Sequence, residues 1–350
     1  MVKLAIAGFG RLARNYYVPA LATLRHAQIV AVADPLAASR DAAVECFPAA
    51  RIYSDYRELP ASESIDALVV ASPPSTHLAI WNLASQRRIP VLMEKPFVLG
   101  GEFERAASSA EARPLLMPNF NRRFWPSYRK MRELCLDGSI GEVERATFTL
   151  RVNLEPWSSV TRHRLDPGEG GALYDLGSSQ LDLIEFVFGR AIAAVNARIS
   201  EIESSGRRVL LRVLLNGGVR ARCELGYSAR NRESVSIVGA KASVYLENPN
   251  AALHVAARGT RKFLAEKWLR DSIAFGTRAV LRERSMLRYT IRASLAEFID
   301  ALSAGRGFSP GFDAAARNSV CLDAALKSAA KHRTVEVKSI ESEHVHQAQA

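Results

Sequence analysis

The chain is poor in cysteine, has no long apolar run and carries too few acids to balance its bases. Each shortage excludes something. No apolar stretch in its 350 residues approaches the roughly 18–20 needed to span a bilayer, which excludes a membrane-spanning helix. Strand-like residues begin at Val2, so no leader peptide is expected, and the expected compartment is the cytoplasm. Cys46, Cys135, Cys223 and Cys321 stand far apart without metal spacing, which argues for reduced thiols and against a disulfide framework or a zinc site. The seven histidines show no ligand pairing either, so no metal is expected. Against 47 Lys and Arg there are only 36 Asp and Glu, a net charge of +11 that suits anionic ligands or surfaces and says nothing of fold.

What is present points to a globular protein in two parts. A 350-residue chain exceeds the size at which one core stops growing, so two domains are expected. Its organising stretch is Val91-Leu92-Met93-Glu94-Lys95-Pro96-Phe97, an apolar strand that ends in a charged pair and is stopped by proline. In an open parallel sheet, ligands bind beyond the carboxyl ends of the strands. Lys95 therefore falls where a cofactor and a substrate would meet, and its ammonium can hydrogen-bond a hydroxyl. An isolated Glu-Lys-Pro would be a solvated ion pair in a turn; what precedes it changes the reading.

Val2–Ala7 is a short apolar run followed at once by Gly8-Phe9-Gly10-Arg11-Leu12-Ala13 and a helix-length segment to about Leu24. This is a dinucleotide fingerprint with alanine in the third glycine position. Gly8 allows the tight turn, Gly10 lets the backbone approach a pyrophosphate, and the helix N-terminus faces the phosphates. A second strand, Ile29–Ala33, ends at Asp34, where a carboxylate accepts from the adenosine ribose hydroxyls and repels a 2′-phosphate. NAD(H) is thus favoured over NADP(H), although Arg11 and Arg40 are close in sequence. A third strand, Asp66–Ser72, leads through Pro73-Pro74-Ser75-Thr76-His77 into a helix that Ser75 or Thr76 is expected to cap. Strands alternating with helices from a fingerprint onward give a doubly wound parallel sheet over residues 1–120.

Taken in order, Gly8-Phe9-Gly10, Asp34, Pro73-Pro74-Ser75-Thr76-His77, Glu94-Lys95-Pro96, Asn121-Arg122-Arg123-Phe124-Trp125-Pro126, Gly138–Val143 and Gly170–Gly177 resemble one family, from about residue 2 to 190. That family is the glucose–fructose oxidoreductase / inositol dehydrogenase (Gfo/Idh/MocA) group. The resemblance implies an α/β protein: an N-terminal Rossmann domain, then a C-terminal α+β domain with a large open, mainly antiparallel sheet over 121–340. It implies an NAD(P)-dependent oxidoreductase acting on a hydroxyl or keto group of a sugar, cyclitol or nucleotide sugar. Cofactor contacts then fall to Gly8, Phe9, Gly10, Arg11, Leu12, Asp34, Ser72, Pro73, His77, Glu94 and Lys95. Catalysis falls to Lys95 and Asp175, with Ser179 where the family's dehydrogenases carry histidine. That departure matters, since a serine hydroxyl relays a hydrogen bond but is no base near neutrality. It leaves open three rescues: Lys95 as the acid/base with Ser179 relaying, His163 from a loop, or Tyr174. It also leaves open an NAD-assisted lyase or glycosidase, and a cofactor-binding protein without redox turnover.

In the second domain a helix is expected over 122–137 and a strand over 143–153. A polar loop over 155–169 carries Trp157, Arg162, His163 and Arg164 and could cover a ligand. Further strands are expected over 194–202, 209–215, 219–227, 233–238 and 243–246, with Asn216-Gly217-Gly218 as a hairpin turn. The resemblance makes the outer face of this sheet a homodimer or homotetramer contact. Substrate contacts are expected from Lys95, Arg122, Arg123, Trp157, His163, Asp175 and Ser179, and the arginines hint at an anionic substrate. Residues 258–292 read as helical, amphipathic and basic, with ten Lys/Arg against three acids. Packing or subunit contact is favoured for this segment over peripheral membrane attachment, and nucleic acid is disfavoured. Residues 341–350 read as a disordered tail.

Overall fold

The computed structural model describes residues 1–59, 64–108, 115–154, 171–202, 206–248, 253–257 and 286–338. The chain folds into two compact units, Met1–Asn121 with Leu287–Ser319, and Arg122–Met286 with Val320–Ser339.

The first unit is built on six strands: β1 Val2–Ala7, β2 Ala27–Ala33, β3 Arg51–Tyr53, β4 Ala67–Val70, β5 Val91–Met93 and β6 Leu116–Pro118. All pair in parallel, in the order β3-β2-β1-β4-β5-β6. Continuous apolar runs form these strands because both sheet faces are covered; every residue of β4 and β5 is buried. The order reverses between β1 and β4, the place where an open α/β sheet leaves a crevice at its carboxyl edge. Helices α1 Val18–Leu21, α2 Ala37–Cys46, α3 His77–Gln86 and α4 Phe103–Ser108 link the strands. Trp81 of α3 packs edge-on against Phe97 and stacks on Phe312, while its indole N–H donates to the Ala106 carbonyl at 2.9 Å. Phe312 opens a late helix, so this aromatic cluster anchors the returning chain in the first unit.

Two local expectations are corrected here. The helix after the glycine turn does not run unbroken to Leu24. Residues Ala13–Tyr17 form a π turn, in which the Val18 N–H reaches back to the Ala13 carbonyl, and α1 ends at Leu21. Pro19 has no N–H to continue an i→i−4 ladder, so the turn before it widens. Thr76 does precede α3, but its hydroxyl does not cap the helix. It donates to the Pro73 carbonyl at 2.7 Å and lies 2.6 Å from the Ser72 hydroxyl, which stiffens the turn instead.

In the second unit, α5 Pro126–Leu136 leads to β7 Val143–Val152, and a π turn over Leu173–Gly177 runs into α6 Ser178–Phe188. Then come β8 Ile192–Ile202, β9 Gly206–Leu215, β10 Arg220–Tyr227, β11 Arg232–Gly239, β12 Ala242–Leu246 and β13 His254–Ala257. Of the late elements, helix α7 Met286–Ser303 belongs to the first unit from Leu287 on, α8 Phe312–Lys331 passes from the first unit into the second after Ser319, and the short β14 Val335–Glu336 belongs to the second. The sheet order is β13-β12-β11-β7-β10-β9-β8-β14; β10 and β7 pair in parallel and the remaining neighbours antiparallel, giving the large open, mainly antiparallel sheet expected. Alternation makes its faces differ: Ala221, Cys223, Leu225 and Tyr227 of β10 are buried, while Arg220 and Arg222 point the other way and are exposed. Gly217 and Gly218 turn the hairpin with φ of +79° and +86°, a region only glycine enters freely.

The covering loop over 155–169, the basic segment up to 285 and the tail from 341 lie outside the described residues. No disulfide joins the four cysteines: Cys223 and Cys321 are buried, Cys135 is half-buried and Cys46 is exposed. No helix among the described residues is long and apolar enough to cross a membrane.

Candidate active site

The site in the first unit starts where β1 ends. Gly8 has φ +90°, and a Cβ there would sit 2.7 Å from the Ser72 backbone nitrogen, so the approach of the β4 end demands glycine. Gly10 is different. A Cβ at Gly10 would meet nothing within 4 Å, so nothing among the described residues requires its absence. A glycine kept beside open space, two residues past a tight turn, is the cradle that a pyrophosphate needs. Arg11 and Leu12 flank it, both half-buried, and Phe9 is buried edge-on against Phe47 at 6.0 Å between ring centres.

Asp34 is held by the backbone it faces. The Phe9 N–H donates to Oδ2 at 2.7 Å and the Leu36 N–H to Oδ1 at 2.9 Å, and the residue is buried. An ionised carboxylate accepts about four hydrogen bonds, so each oxygen keeps a lone pair for a further donor. Beside it the Arg40 guanidinium donates to the carbonyls of Asp34 (3.0 Å) and Pro35 (2.8 Å). Asp34 and the glycine turn are thus one hydrogen-bonded piece.

The loops after β4 and β5 are tied by His77, which is fully buried. Its Nδ1 lies 2.8 Å from the Pro96 carbonyl oxygen and its Nε2 3.1 Å from that of Ser72. His77 therefore spans the segments that carry Pro73 and Lys95. Glu94 turns inward: its Oε1 accepts from the Tyr17 hydroxyl at 2.8 Å and from the Asn119 amide at 2.6 Å, and that amide also donates to the Tyr17 oxygen at 2.8 Å. Burial raises the Glu94 carboxyl above its ordinary value, and the bonds from Asn119 and Tyr17, with the charge of Lys95, only partly offset it. Burial, then the Glu94 charge, pushes the Tyr17 phenol well above its usual range. Asn119 Oδ1 is buried without a hydrogen-bond partner among the described residues. Lys95, next in the chain, is half-buried at the end of β5, on the carboxyl edge of the sheet.

In the second unit Asp175 sits in the π turn before α6, a distortion frequent at functional sites. The Tyr227 hydroxyl donates to its Oδ2 at 3.2 Å. Ser179 is buried, and its hydroxyl donates to the Leu176 carbonyl at 2.9 Å, so its proton is committed within the helix. Tyr174 donates to Asp323 at 2.9 Å. The two arginines expected on the substrate side both meet carboxylates. Arg122 forks onto Glu233 at 2.8 and 3.0 Å, and the Tyr128 hydroxyl joins the same carboxylate at 2.7 Å. Arg123 forks onto the buried Asp182, the shortest bond being 2.6 Å. Burial alone would lower the Arg122 guanidinium; Glu233, with Tyr128 and Asp175 beyond, more than reverses that. Burial likewise raises Asp182 although Arg123 pulls it down. Trp157 and His163 lie outside the described residues.

Sequence reasoning missed Tyr17, Asn119, Tyr227 and Glu233. Each is joined to its partner across 25 to 111 positions of chain, and no local pattern announces such pairings. Among the described residues no group of three or more His, Cys, Asp or Glu is arranged to hold a metal.

Comparison with known proteins agrees with this geometry. Residues 2–115 match the model of the GFO_IDH_MocA oxidoreductase family with its NAD-binding Rossmann fold, and residues 128–245 match the GFO/IDH/MocA C-terminal domain. The chain is 27% identical to an inositol 2-dehydrogenase of Rhizobium meliloti over 96% of its length and 99% of the relative's. It is 26% identical to a D-apiose dehydrogenase of Paraburkholderia graminis, over 97% and 90% of the two chains. In fold it is similar to a scyllo-inositol dehydrogenase from Lactobacillus casei, solved with NAD(H) and scyllo-inositol bound, at a TM-score of 0.75 and 18% identity over 97% of this chain and all of that one. The chain belongs to the Gfo/Idh/MocA oxidoreductase family.

Proposed function

We propose that this member of the family moves a hydride between NAD and a secondary hydroxyl, or the matching ketone, of a sugar, cyclitol or nucleotide sugar. The observation that carries the reading is the open space at Gly10, between a glycine turn that packing does require and an Asp34 fixed by two amides. Similarity to an inositol dehydrogenase and an apiose dehydrogenase supports the substrate class. Bound NAD supplies the hydride acceptor. In oxidation, Lys95 in its amine form takes the proton from the substrate hydroxyl as the C–H hydride leaves, so ketone, reduced cofactor and one proton result. Asp175 orients a hydroxyl, and Ser179, whose own proton is committed to Leu176, accepts a hydrogen bond and does not act as base. Arg122 and Arg123, already paired, frame the site. We place self-association at the exposed face of the eight-stranded sheet and the enzyme in the cytoplasm.

NAD(H) should bind more tightly than NADP(H), because a 2′-phosphate would lie against Asp34, and Arg40 is turned onto backbone carbonyls. Calorimetric titration with both cofactors tests this; a tenfold preference for NADP(H), about 1.4 kcal/mol the other way, overturns the role of Asp34. The commitment of the Ser179 proton favours one second reading, a lyase or glycosidase in which tightly held NAD oxidises the sugar transiently. Incubation with NAD⁺ and candidate sugars separates the two: the dehydrogenase accumulates NADH with a ketone, whereas the second reading gives cleaved carbohydrate and no net NADH.

A further inference from the structure

The exposed face of the eight-stranded sheet gathers like charge around one residue. Arg212 of β9 lies directly opposite Arg222 of β10, and such cross-strand neighbours stand about 5 Å apart at Cβ. On its other side the register sets Asn196 of β8. Arg198 of β8 and Arg220 of β10 occupy diagonal positions, about 7–8 Å away. All four arginines are exposed. The other diagonal on β10 holds Glu224, but that carboxylate already accepts from Arg222 at 2.7 Å, Arg208 at 3.2 Å and Arg151 at 3.4 Å. Arg198, Arg212 and Arg220 have no carboxylate partner among the described residues.

Like charges directly opposite each other destabilise a strand pair, and packing does not call for them here. The core is served by the alternate positions Leu211, Val213, Ala221 and Cys223, which point to the other face. In water the cations are hydrated and screened, so the cost is modest. Between two copies it is not. A closed two-fold contact sets one patch against itself, so a second copy brings the same cations and no surplus acid. Taking unpaired charges out of water is then strongly unfavourable. A planar guanidinium presents its N–H groups as a fork that fits two oxygens of a phosphate, a match that chloride cannot make.

We infer that Arg198, Arg212, Arg220 and Arg222 form a site for a dissolved multivalent oxyanion of the phosphate or pyrophosphate class, and that filling it lets two copies of the chain meet by this face. The inference rests on the placement of self-association at the exposed sheet face. It does not involve the substrate: Tyr227, bonded to Asp175, lies on the opposite face of β10 from Arg220 and Arg222. Anion and second copy reinforce each other, because each lowers the cost that the other meets on binding.

The test is sedimentation of the full chain, saturated with NAD so that the glycine turn is closed to phosphate. Sodium chloride, phosphate and pyrophosphate are compared at one pH and one ionic strength of about 0.1 M, which removes general screening from the comparison. Self-association should set in at about tenfold lower protein concentration in phosphate or pyrophosphate than in chloride. Pyrophosphate titrated into the same protein should give binding heat. Arg212→Gln removes the centre of the group, so it should lose that heat and associate alike in all three salts. Arg25→Gln, exposed in the first unit, should keep the parent's behaviour. Equal association of the parent in the three salts, or an anion preference that survives in Arg212→Gln, overturns the site. If association is equal and also unmoved by Arg212→Gln, the contact lies elsewhere and the placement of self-association falls as well. Pyrophosphate binding that needs Arg212 but brings no association keeps the site and removes only that placement. Flotation with phosphatidylglycerol vesicles that Arg212→Gln abolishes, with no effect of dissolved phosphate, assigns these arginines to a lipid surface and overturns the inference.

Discussion

Glu94 is buried, acidic and next to Lys95 in the chain. Its carboxyl is raised by burial, so the folded state prefers the protonated form. A raised value means that the stabilising contribution is complete below the ordinary glutamate value of about 4.3 and is lost as pH rises through the folded value. Glu94→Gln keeps the oxygen that accepts from Tyr17 and Asn119 and removes the charge. Relative to the parent it should therefore gain stability on going from pH 4 to pH 8. Urea unfolding at the two pH values measures this; a variant equally or less favoured at pH 8 contradicts the account. At this scale the sequence was legible where chemistry is local. Gly8, Gly10, Asp34 and Lys95 stand at the ends of recognisable strands, and their neighbours in sequence state their surroundings. Tyr17 and Asn119 do not, since only the folded sheet brings positions 17, 94 and 119 together.

Elements were legible in proportion to how much apolar surface they bury. The buried strands β1, β2, β4 and β5 read directly as apolar runs, and β7 as an alternation. Strand β3 did not, because Arg51-Ile52-Tyr53 is a sheet edge with one aliphatic residue. The π turns at Ala13–Tyr17 and Leu173–Gly177 were also invisible, since a one-residue widening leaves the helical pattern almost unchanged. The glycine turn shows how two residues of one motif separate by cause. Gly8→Ala puts a Cβ on the Ser72 backbone at a positive φ and should destabilise the fold, by roughly 1–3 kcal/mol. Gly10→Val meets no protein atom near its Cβ and should leave the melting temperature close to the parent's while cofactor binding is abolished. Thermal melts with and without NAD⁺ check both. Unchanged NAD⁺ affinity in Gly10→Val would remove the fingerprint from the account.

At the scale of the whole molecule a second group of basic residues, beyond those of 258–292, gathers on one sheet face. Arg198, Arg208, Arg212, Arg220 and Arg222 all project from the exposed face of the eight-stranded sheet, with Glu224 among them and Arg222 directly opposite Arg212. If two copies meet by this face, like charges approach each other across it. Self-association should then be weak at about 0.05 M salt and strengthen at about 0.5 M, as the Debye length shortens from over 10 Å to about 4 Å. Sedimentation at both salt concentrations measures it, and association that weakens with salt contradicts a contact through these arginines. Net charge and its concentration in 258–292 were legible from the sequence, but the arginine face of the sheet was not, because which face a strand shows to water depends on what covers the other.

Lys95 is the proposed group that moves the hydroxyl proton, and one absorbance trace tests this role most directly. NAD⁺-saturated protein is mixed with the substrate identified from sugars, cyclitols and their acids, and the NADH band is followed in the parent and in Lys95→Ala. The predicted result is NADH formed with equimolar ketone in the parent and a rate about 10²–10⁴-fold lower in the variant, with NAD⁺ affinity unchanged. Turnover of Lys95→Ala at the parent rate would contradict it, and would leave a cofactor-binding protein whose proton transfer lies elsewhere.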